Sequence, residues 1–135
     1  MQLDFMDQLN NKINDMNLFT RSIIGLLGAD ESISIMVIPG GAETVYFDGT
    51  RDKEYQVQVN AKSKNQLNCF NALTKIYQTL ENLDDLPSEN GSYDFQGITT
   101  QSLPSLLERD EQGYWVYVLS ISARITIYKG VVING

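Results

Sequence analysis

Alternation of apolar and polar positions predicts two strands that dominate the chain. Over residues 53–62, Tyr55, Val57 and Val59 alternate with polar side chains, a pattern typical of a strand with one buried face. Over residues 113–128, every odd position from Trp115 to Ile127 is apolar. The even positions of this closing strand begin apolar and then turn polar, so its first half is apolar on both faces.

The closing strand is predicted to be unusually long. At about 3.3 Å per residue it would reach roughly 45–50 Å, against about 17–20 Å for an ordinary strand. We therefore expect it to extend beyond its own sheet or to be covered by another element. Its second apolar face consists of Tyr114, Val116 and Val118. Either the N-terminal helix covers these three side chains or they form a protein interface, and the pattern favours an interface.

Helical spacing of apolar residues predicts helices over residues 2–15, 18–27 and 64–82. The third is the best specified. It follows Ser63-Lys64-Asn65-Gln66, which fits a capping box in which the Ser63 hydroxyl accepts from the Gln66 amide. Further strands are predicted over residues 32–38 and 92–100. Residues 84–91 and 101–112 are predicted as connections, and residues 129–135 as a loose tail.

These elements predict one α+β domain over residues 1–135. Its sheet is mainly antiparallel, with about four strands and with helices packed on one face. The order is one or two helices, two strands, a helix and two strands.

A long connection, residues 39–52, is the most distinctive loop and is called the arm below. It holds Val45, Tyr46 and Phe47 ahead of an Asp-Gly turn signal, and then Arg51. The arm is either a projecting hairpin or a small extra strand pair. Its aromatic residues either fold back onto the local core or contact a protein, since interfaces are enriched in such side chains. We include Val45, Tyr46, Phe47 and Arg51 in the predicted interface.

Composition narrows the classes of function. The net charge is −7 and the pI about 4.4, which argues against sequence-specific binding of nucleic acid. The chain has no histidine and a single cysteine, Cys69, so the commonest general base is missing and no disulfide can form within one chain. This cysteine usage favours the cytosol. The sequence contains neither a signal peptide pattern nor an apolar run of about 20 residues, so no membrane association is expected.

Few residues suggest chemistry. Asp48, Asp52 and Glu54 cluster beside the turn, where a metal site is conceivable, but turn and surface roles are much more common for such acids. Cys69 lies beside the apolar stripe of the third helix and has no histidine to activate it. We therefore predict no catalytic, cofactor-binding or metal-binding residues, and no enzyme.

Several stretches together resemble a known family. The chain combines an N-terminal LDFMDQL, the arm ending in YFDG, the strand EYQVQV and the capped helix leading through DDLP to the closing strand. In length and element order it resembles the minor capsid or tail terminator proteins of long-tailed bacteriophages of Gram-positive hosts. The resemblance implies a structural virion protein, assembled in the host cytoplasm, that forms a ring at the head–tail junction, commonly a hexamer. Its partners would be tail-tube and head-connector proteins, and the sheet edges and the arm would lie between subunits.

Two alternatives remain. A small cytosolic ligand-binding or enzyme domain with a curved sheet would place polar groups on the inward face of its sheet. Here Tyr55 and Tyr117 are the only polar groups predicted there, which argues against a reaction chamber. A cytosolic adaptor that binds one partner through a sheet edge is harder to separate from a ring former. Assembly size distinguishes the two, because a ring is a closed homo-oligomer.

Overall fold

The computed structural model describes residues 1–133, which fold into one six-stranded sheet and two helices. The spatial order of the strands is β1-β2-β4-β6-β5, and β3 also pairs with β4. The β1–β2 pair is parallel and all other pairs are antiparallel. The elements in chain order are α1 (Phe5–Asn14), β1 (Ser22–Ile24), β2 (Ser32–Val37), β3 (Glu43–Val45), β4 (Arg51–Ser63), α2 (Gln66–Glu81), β5 (Tyr93–Arg109) and β6 (Trp115–Ile127). The α+β class is as predicted, but the sheet has two strands more than the four expected, because β1 and β3 pair with its edge.

The closing strand, β6, is a central strand of the sheet. It pairs along all of its 13 residues with β4, from Arg51↔Ile127 to Ser63↔Trp115, and along its other edge with β5. Of the two expected alternatives, extension beyond its own sheet is therefore wrong, and the other, cover by another element, is described below for its first half. Both neighbours are at least as long, with 13 residues in β4 and 17 in β5, so these three strands form the tallest part of the sheet.

Both helices contribute to a single hydrophobic core on one face of the sheet. Alternate residues of β4 and β6, such as Val57 and Ile121, are fully buried in it. The Phe5 ring of α1 packs edge-on against Tyr55 and Tyr93, with 5.4 Å between ring centroids in each pair. Burying each large apolar side chain contributes about 1.5–3 kcal/mol, so this covered face provides most of the stability.

The start of α2 differs from the predicted capping box. Asn65 is the N-cap, and its side chain accepts a hydrogen bond from the amide of Leu67 at 3.0 Å. Ser63 is still in β4, where it pairs with Trp115, and its hydroxyl accepts from the amide of Asn65. Because the strand continues through Ser63, the helix begins later than the predicted cap requires.

The connection predicted over residues 101–112 is, as far as Arg109, the second half of β5. Pro104 suggested a break, but β5 is an edge strand, where proline is tolerated because one of its edges needs no partner. Register shifts against β6 accommodate the extra residues, including one between Ser102 and Ser105 that contains Pro104. The strand predicted over residues 92–100 is the first half of the same element.

The helix predicted over residues 18–27 is absent. Ser22–Ile24 instead form β1, which runs parallel to β2, as the β-branched Ile23 and Ile24 favour. Residues 25–31, called the crossover below, return the chain to the start of β2 across the face that the helices leave open. Lys62 of β4 holds the crossover in place, because its Nζ donates to the carbonyl oxygens of Gly28 and Ala29 at 3.2 and 3.1 Å.

The arm is an extra strand pair built onto the sheet. After β2, Pro39-Gly40-Gly41 form a bulge, and β3 then continues along the same edge of β4. A Cβ atom at Gly41 would lie 2.1 Å from the Glu54 carbonyl oxygen, so the bulge requires glycine there. Residues 46–50, called the tip below, turn the chain from β3 into β4.

The first residues of the chain pair with Val132, close to the end of the described part. The Leu3 amide donates to the Val132 carbonyl at 2.9 Å, and the Val132 amide donates to the Met1 carbonyl at 2.8 Å. Residues 129–135 are predicted as a loose tail. Within its described part, which extends to residue 133, Val132 makes this contact. Residues 134 and 135 lie outside the described residues.

A buried carboxylate, Asp4, ties α1 to the loop before β5. It accepts hydrogen bonds from the hydroxyls of Ser88 and Ser92 at 2.6 and 2.9 Å, and from the amide of Glu89 at 2.8 Å. Burial alone would raise the pKa of Asp4, but these hydrogen bonds outweigh it and the pKa is lowered. These hydrogen bonds to Asp4, called the clamp below, therefore depend on an ionised Asp4 side chain.

Candidate interaction surfaces

The tip of the arm is held rigidly by its own hydrogen bonds. The Tyr46 amide donates to the Thr50 carbonyl at 2.9 Å, and the Gly49 amide donates to the Tyr46 carbonyl at 3.0 Å. Asp48 accepts from the amide and the hydroxyl of Thr50 at 3.0 and 2.7 Å, and these bonds lower the pKa of Asp48. Gly49 supplies the left-handed conformation, with φ of +90°.

A second carboxylate fastens the tip to the body of the sheet. Asp52 accepts from the hydroxyls of Thr126 in β6 and Tyr46 in the tip, at 2.6 Å each. The bonds from Thr126 and Tyr46 lower the pKa of Asp52, and the bond between Tyr46 and Asp52 raises the pKa of Tyr46. The acids near the turn thus organise the arm. Among residues 1–133, no cluster of acidic or thiol side chains is arranged to hold a metal ion.

The rigid arm presents apolar side chains to solvent. Phe47 is fully exposed at the tip and Val45 is largely exposed on β3, so Phe47 does not fold back onto the core. Arg51 lies 3.4 Å from Glu43 across the strand pair, a surface ion pair that contributes little stability. Of the four arm residues predicted to lie at an interface, Tyr46 supports the tip, and Val45 and Phe47 are the exposed apolar groups.

The other predicted interface residues lie at the opposite end of the sheet, on its open face. Tyr114 is 9% exposed, Val116 is 5% exposed and Val118 is half-buried. The Tyr114 ring lies beneath the Lys62 Nζ, 4.9 Å from the ring centroid, and its hydroxyl donates to Asp30 at 3.2 Å. Desolvation and the bond to Asp30 raise the pKa of Tyr114.

Part of the crossover covers this second apolar region, a cover that sequence reasoning did not anticipate. Lys62 fastens it by its bonds to the crossover carbonyls and by an ion pair with Asp110 at 3.6 Å. Between the crossover and β5 an apolar groove of about 370 Å³ stays open to solvent. Its lining includes Leu26 and Leu27 from the crossover, Leu107 from β5 and Val116 from the floor of the sheet.

The sequence also missed a third apolar region, on the outer half of β5 and the start of α2. Two leucines of β5 are exposed there, together with two apolar residues of α2: Leu103, Leu106, Leu67 and Phe70. A usable signal was present, because residues 95–107 contain no charged side chain although the chain as a whole carries a net charge of −7. Because residues 101–112 were predicted to be a loop, the uncharged stretch was not recognised as part of an exposed strand.

The single cysteine is a core residue. Cys69 is fully buried in α2, and its thiol donates to the Trp115 carbonyl at 3.5 Å. Burial raises the pKa of Cys69 to about 11, so the reactive thiolate is scarce at neutral pH. No helix within residues 1–133 has the length and apolar content needed to cross a membrane.

Comparison of the sequence with known proteins identifies a matching family. A family model described as bacteriophage tail terminator protein matches residues 8–127, which is most of the chain and includes α2, the arm and all strands. No curated protein matches the sequence.

Proposed function

The chain belongs to the bacteriophage tail terminator family, and on that premise we propose that identical copies form a closed ring, a hexamer, at the end of the tail. Members of the family are structural proteins of the head–tail junction, not enzymes, and they interact with other head and tail proteins of the phage. The ring would cap the finished tail tube and offer a surface to the head connector. It would assemble in the cytoplasm of a Gram-positive host.

The single observation that carries the ring is the rigid arm with its exposed aromatic residue. Four hydrogen bonds within the tip and two bonds to Asp52 fix its conformation. A tip whose backbone is already ordered costs less entropy to bind, and aromatic side chains are enriched at protein interfaces.

The proposed interface keeps both groups of predicted residues. Val45, Tyr46, Phe47 and Arg51 form the arm at one end of the sheet. At the other end Val118 contributes directly, while Tyr114 and Val116 contribute through the groove and the crossover that cover them. Two different surfaces at opposite ends of one chain favour head-to-tail contacts, which generate rings when the rotation between copies closes.

The acidic charge agrees with this role. DNA must pass the head–tail junction without adhering to it, and a chain with a net charge of −7 repels the phosphate backbone. We expect weak or no binding to duplex DNA at physiological salt.

Light scattering on a sizing column, repeated across protein concentration, tests the ring. We expect one discrete closed oligomer of six copies, formed either by the purified protein or on purified tails that lack their cap. In a matched variant, Asn-Gly replaces residues 46–50, since this two-residue turn still closes a hairpin. We expect that variant to stay folded and monomeric.

Asn11→Ala is the control, because Asn11 is exposed on α1 and lies outside the arm, the groove and the exposed apolar region of β5 and α2. It should assemble like the unmodified chain. A monomer at every concentration that also fails to cap tails counts against the ring. Unchanged assembly of the shortened-arm variant would exclude the arm from the interface.

A further inference from the structure

We propose that the groove between the crossover and β5 receives Phe47 of a neighbouring copy. This inference rests on the proposed ring and names the surface on which each arm docks. The groove and the tip are the two halves of one contact, and each copy carries both.

The groove has the properties of a binding site for one aromatic side chain. Its volume of about 370 Å³ lies in the lower part of the range of about 300–1,000 Å³ that is usual for binding pockets. Leu26, Leu27, Met36 and Leu107 contribute apolar surface to it, and Leu26 is 78% exposed. Covering Leu26 and its apolar neighbours with an aromatic ring would remove apolar surface from water, which favours binding.

Glu108 lines the groove with no ion pair among the described residues, whereas a lysine lies against the tip. Asp110 also lines the groove, but Lys62 lines it too and pairs with Asp110 at 3.6 Å. At the tip, a Cβ atom on Gly49 would lie 2.7 Å from the Cγ of Lys129, so the lysine stem packs on the turn that presents Phe47. Docking of the tip would bring Lys129 towards Glu108. Between copies that each carry a net charge of −7, a contact that pairs opposite charges reduces repulsion.

The tip cannot reach the groove of its own chain. Arg51, where β4 leaves the tip, and Lys62, which lines the groove, are separated by 11 residues of one strand. At about 3.3 Å per residue this is roughly 36 Å. The contact therefore joins two copies, and since its two surfaces differ, it repeats from copy to copy around a ring.

Disulfide trapping tests the contact. A chain carrying Lys129→Cys and Glu108→Cys keeps Phe47 and the groove leucines, and it cannot close a disulfide within itself. Glu108 pairs with Val116 at the far end of β6 from Lys129, and the bond requires Cα atoms about 4.4–6.8 Å apart. We expect oxidation at high protein concentration to give a ladder of linked species that ends at the size of the ring. The buried Cys69 should remain reduced.

The matched control carries Lys129→Cys and Leu103→Cys, because Leu103 is exposed on β5 but does not line the groove. It should give no ladder. A ring that forms without a disulfide between the two introduced thiols of the test variant overturns this inference and leaves the proposed function standing. A ladder without a closed end supports the contact and counts against the ring. Failure to cross-link at any concentration, with no ring, overturns both.

A charge exchange provides a second measurement that needs no introduced thiol. Glu108→Lys should weaken assembly, and Lys129→Glu should weaken it as well. The double variant should restore assembly in part, because the pair is present again with its signs exchanged. If the two single variants assemble normally, the proposed orientation of the tip in the groove is wrong.

Discussion

Successive side chains of β4 enter two different environments. Tyr55, Val57 and Val59 are buried under the helices, whereas the residues between them lie on the open face and bond across strands. Gln56 donates to the Ser122 hydroxyl at 2.9 Å, and Asn60 donates to the Ser34 hydroxyl at 3.3 Å. The covered face needs helices to exclude water. The open face meets its hydrogen-bonding needs within the sheet, so it can remain free for contacts with other molecules.

This comparison separates stability from assembly. Apolar burial under α1 and α2 stabilises the fold, while the tip and the groove lie outside that core. Substitutions on the two sides should therefore have different consequences. Those under the helices should lower the free energy of unfolding, and those at the tip should change only the mass of the assembly.

Phe5→Ala should have the largest effect on stability. The Phe5 ring is fully buried and contacts the edges of Tyr55 and Tyr93, and removing a buried phenylalanine costs about 3–5 kcal/mol. Urea unfolding followed by tryptophan fluorescence measures the loss through Trp115. A loss below about 1 kcal/mol would mean that α1 is not part of the cooperative core, and the comparison of faces would fail.

Val116→Glu tests the part of the open face that the crossover covers. Val116 is nearly as buried as the core although no helix covers it. Placing a carboxylate there should cost about 2–3 kcal/mol, because the groove provides partial access to water. The control is Val118→Ala on the same strand and face, where the half-buried side chain should cost about 1 kcal/mol or less. Equal losses would show that the crossover does not shield Val116.

Asp4→Ala should cost about 2 kcal/mol, because the hydroxyls and amides that it binds lose their acceptor. The clamp also predicts a pH dependence. The pKa of Asp4 is lowered in the folded chain from its ordinary value of 3.8. Its contribution is therefore fully present above that value and is lost as the pH falls through the lower, folded pKa.

The pH profile distinguishes this clamp from simple packing. Unfolding free energies of the unmodified chain and of Asp4→Asn should converge as the pH falls below about 4 and differ most near pH 7. A constant difference between the two proteins over this range would show that the charge of Asp4 contributes nothing.

Periodicity alone was enough to predict the covered face. Alternation in β4 and β6 and the apolar stripe of α2 identified the strands, the helix and the face that is buried, because burial imposes those patterns directly. The family resemblance was confirmed over residues 8–127. The predicted interface residues remain predictions. They now divide into an exposed group on the arm and a covered group near the groove.

The errors all lie where local sequence and tertiary pairing disagree. Pro104 suggested a break in a segment that edge position and register shifts keep in β5. Leucines and isoleucines at helical spacing over residues 18–27 suggested a helix, but pairing with β2 made Ser22–Ile24 a strand. The groove could not be predicted without the second half of β5 and the crossover that follows β1, because these two segments form its walls.

Phe47→Ala should have the smallest effect on stability, although the substitution is chemically the same as Phe5→Ala. The Phe47 side chain is fully exposed, so its removal leaves no cavity, and the bonds that hold the tip involve other residues. We expect the free energy of unfolding to change by no more than about 0.5 kcal/mol. The mass in solution, or on capless tails, should fall to that of the monomer. If Phe47→Ala instead lowers stability as much as Phe5→Ala, the arm belongs to the core. If it changes neither quantity, the exposed aromatic residue has no role in assembly.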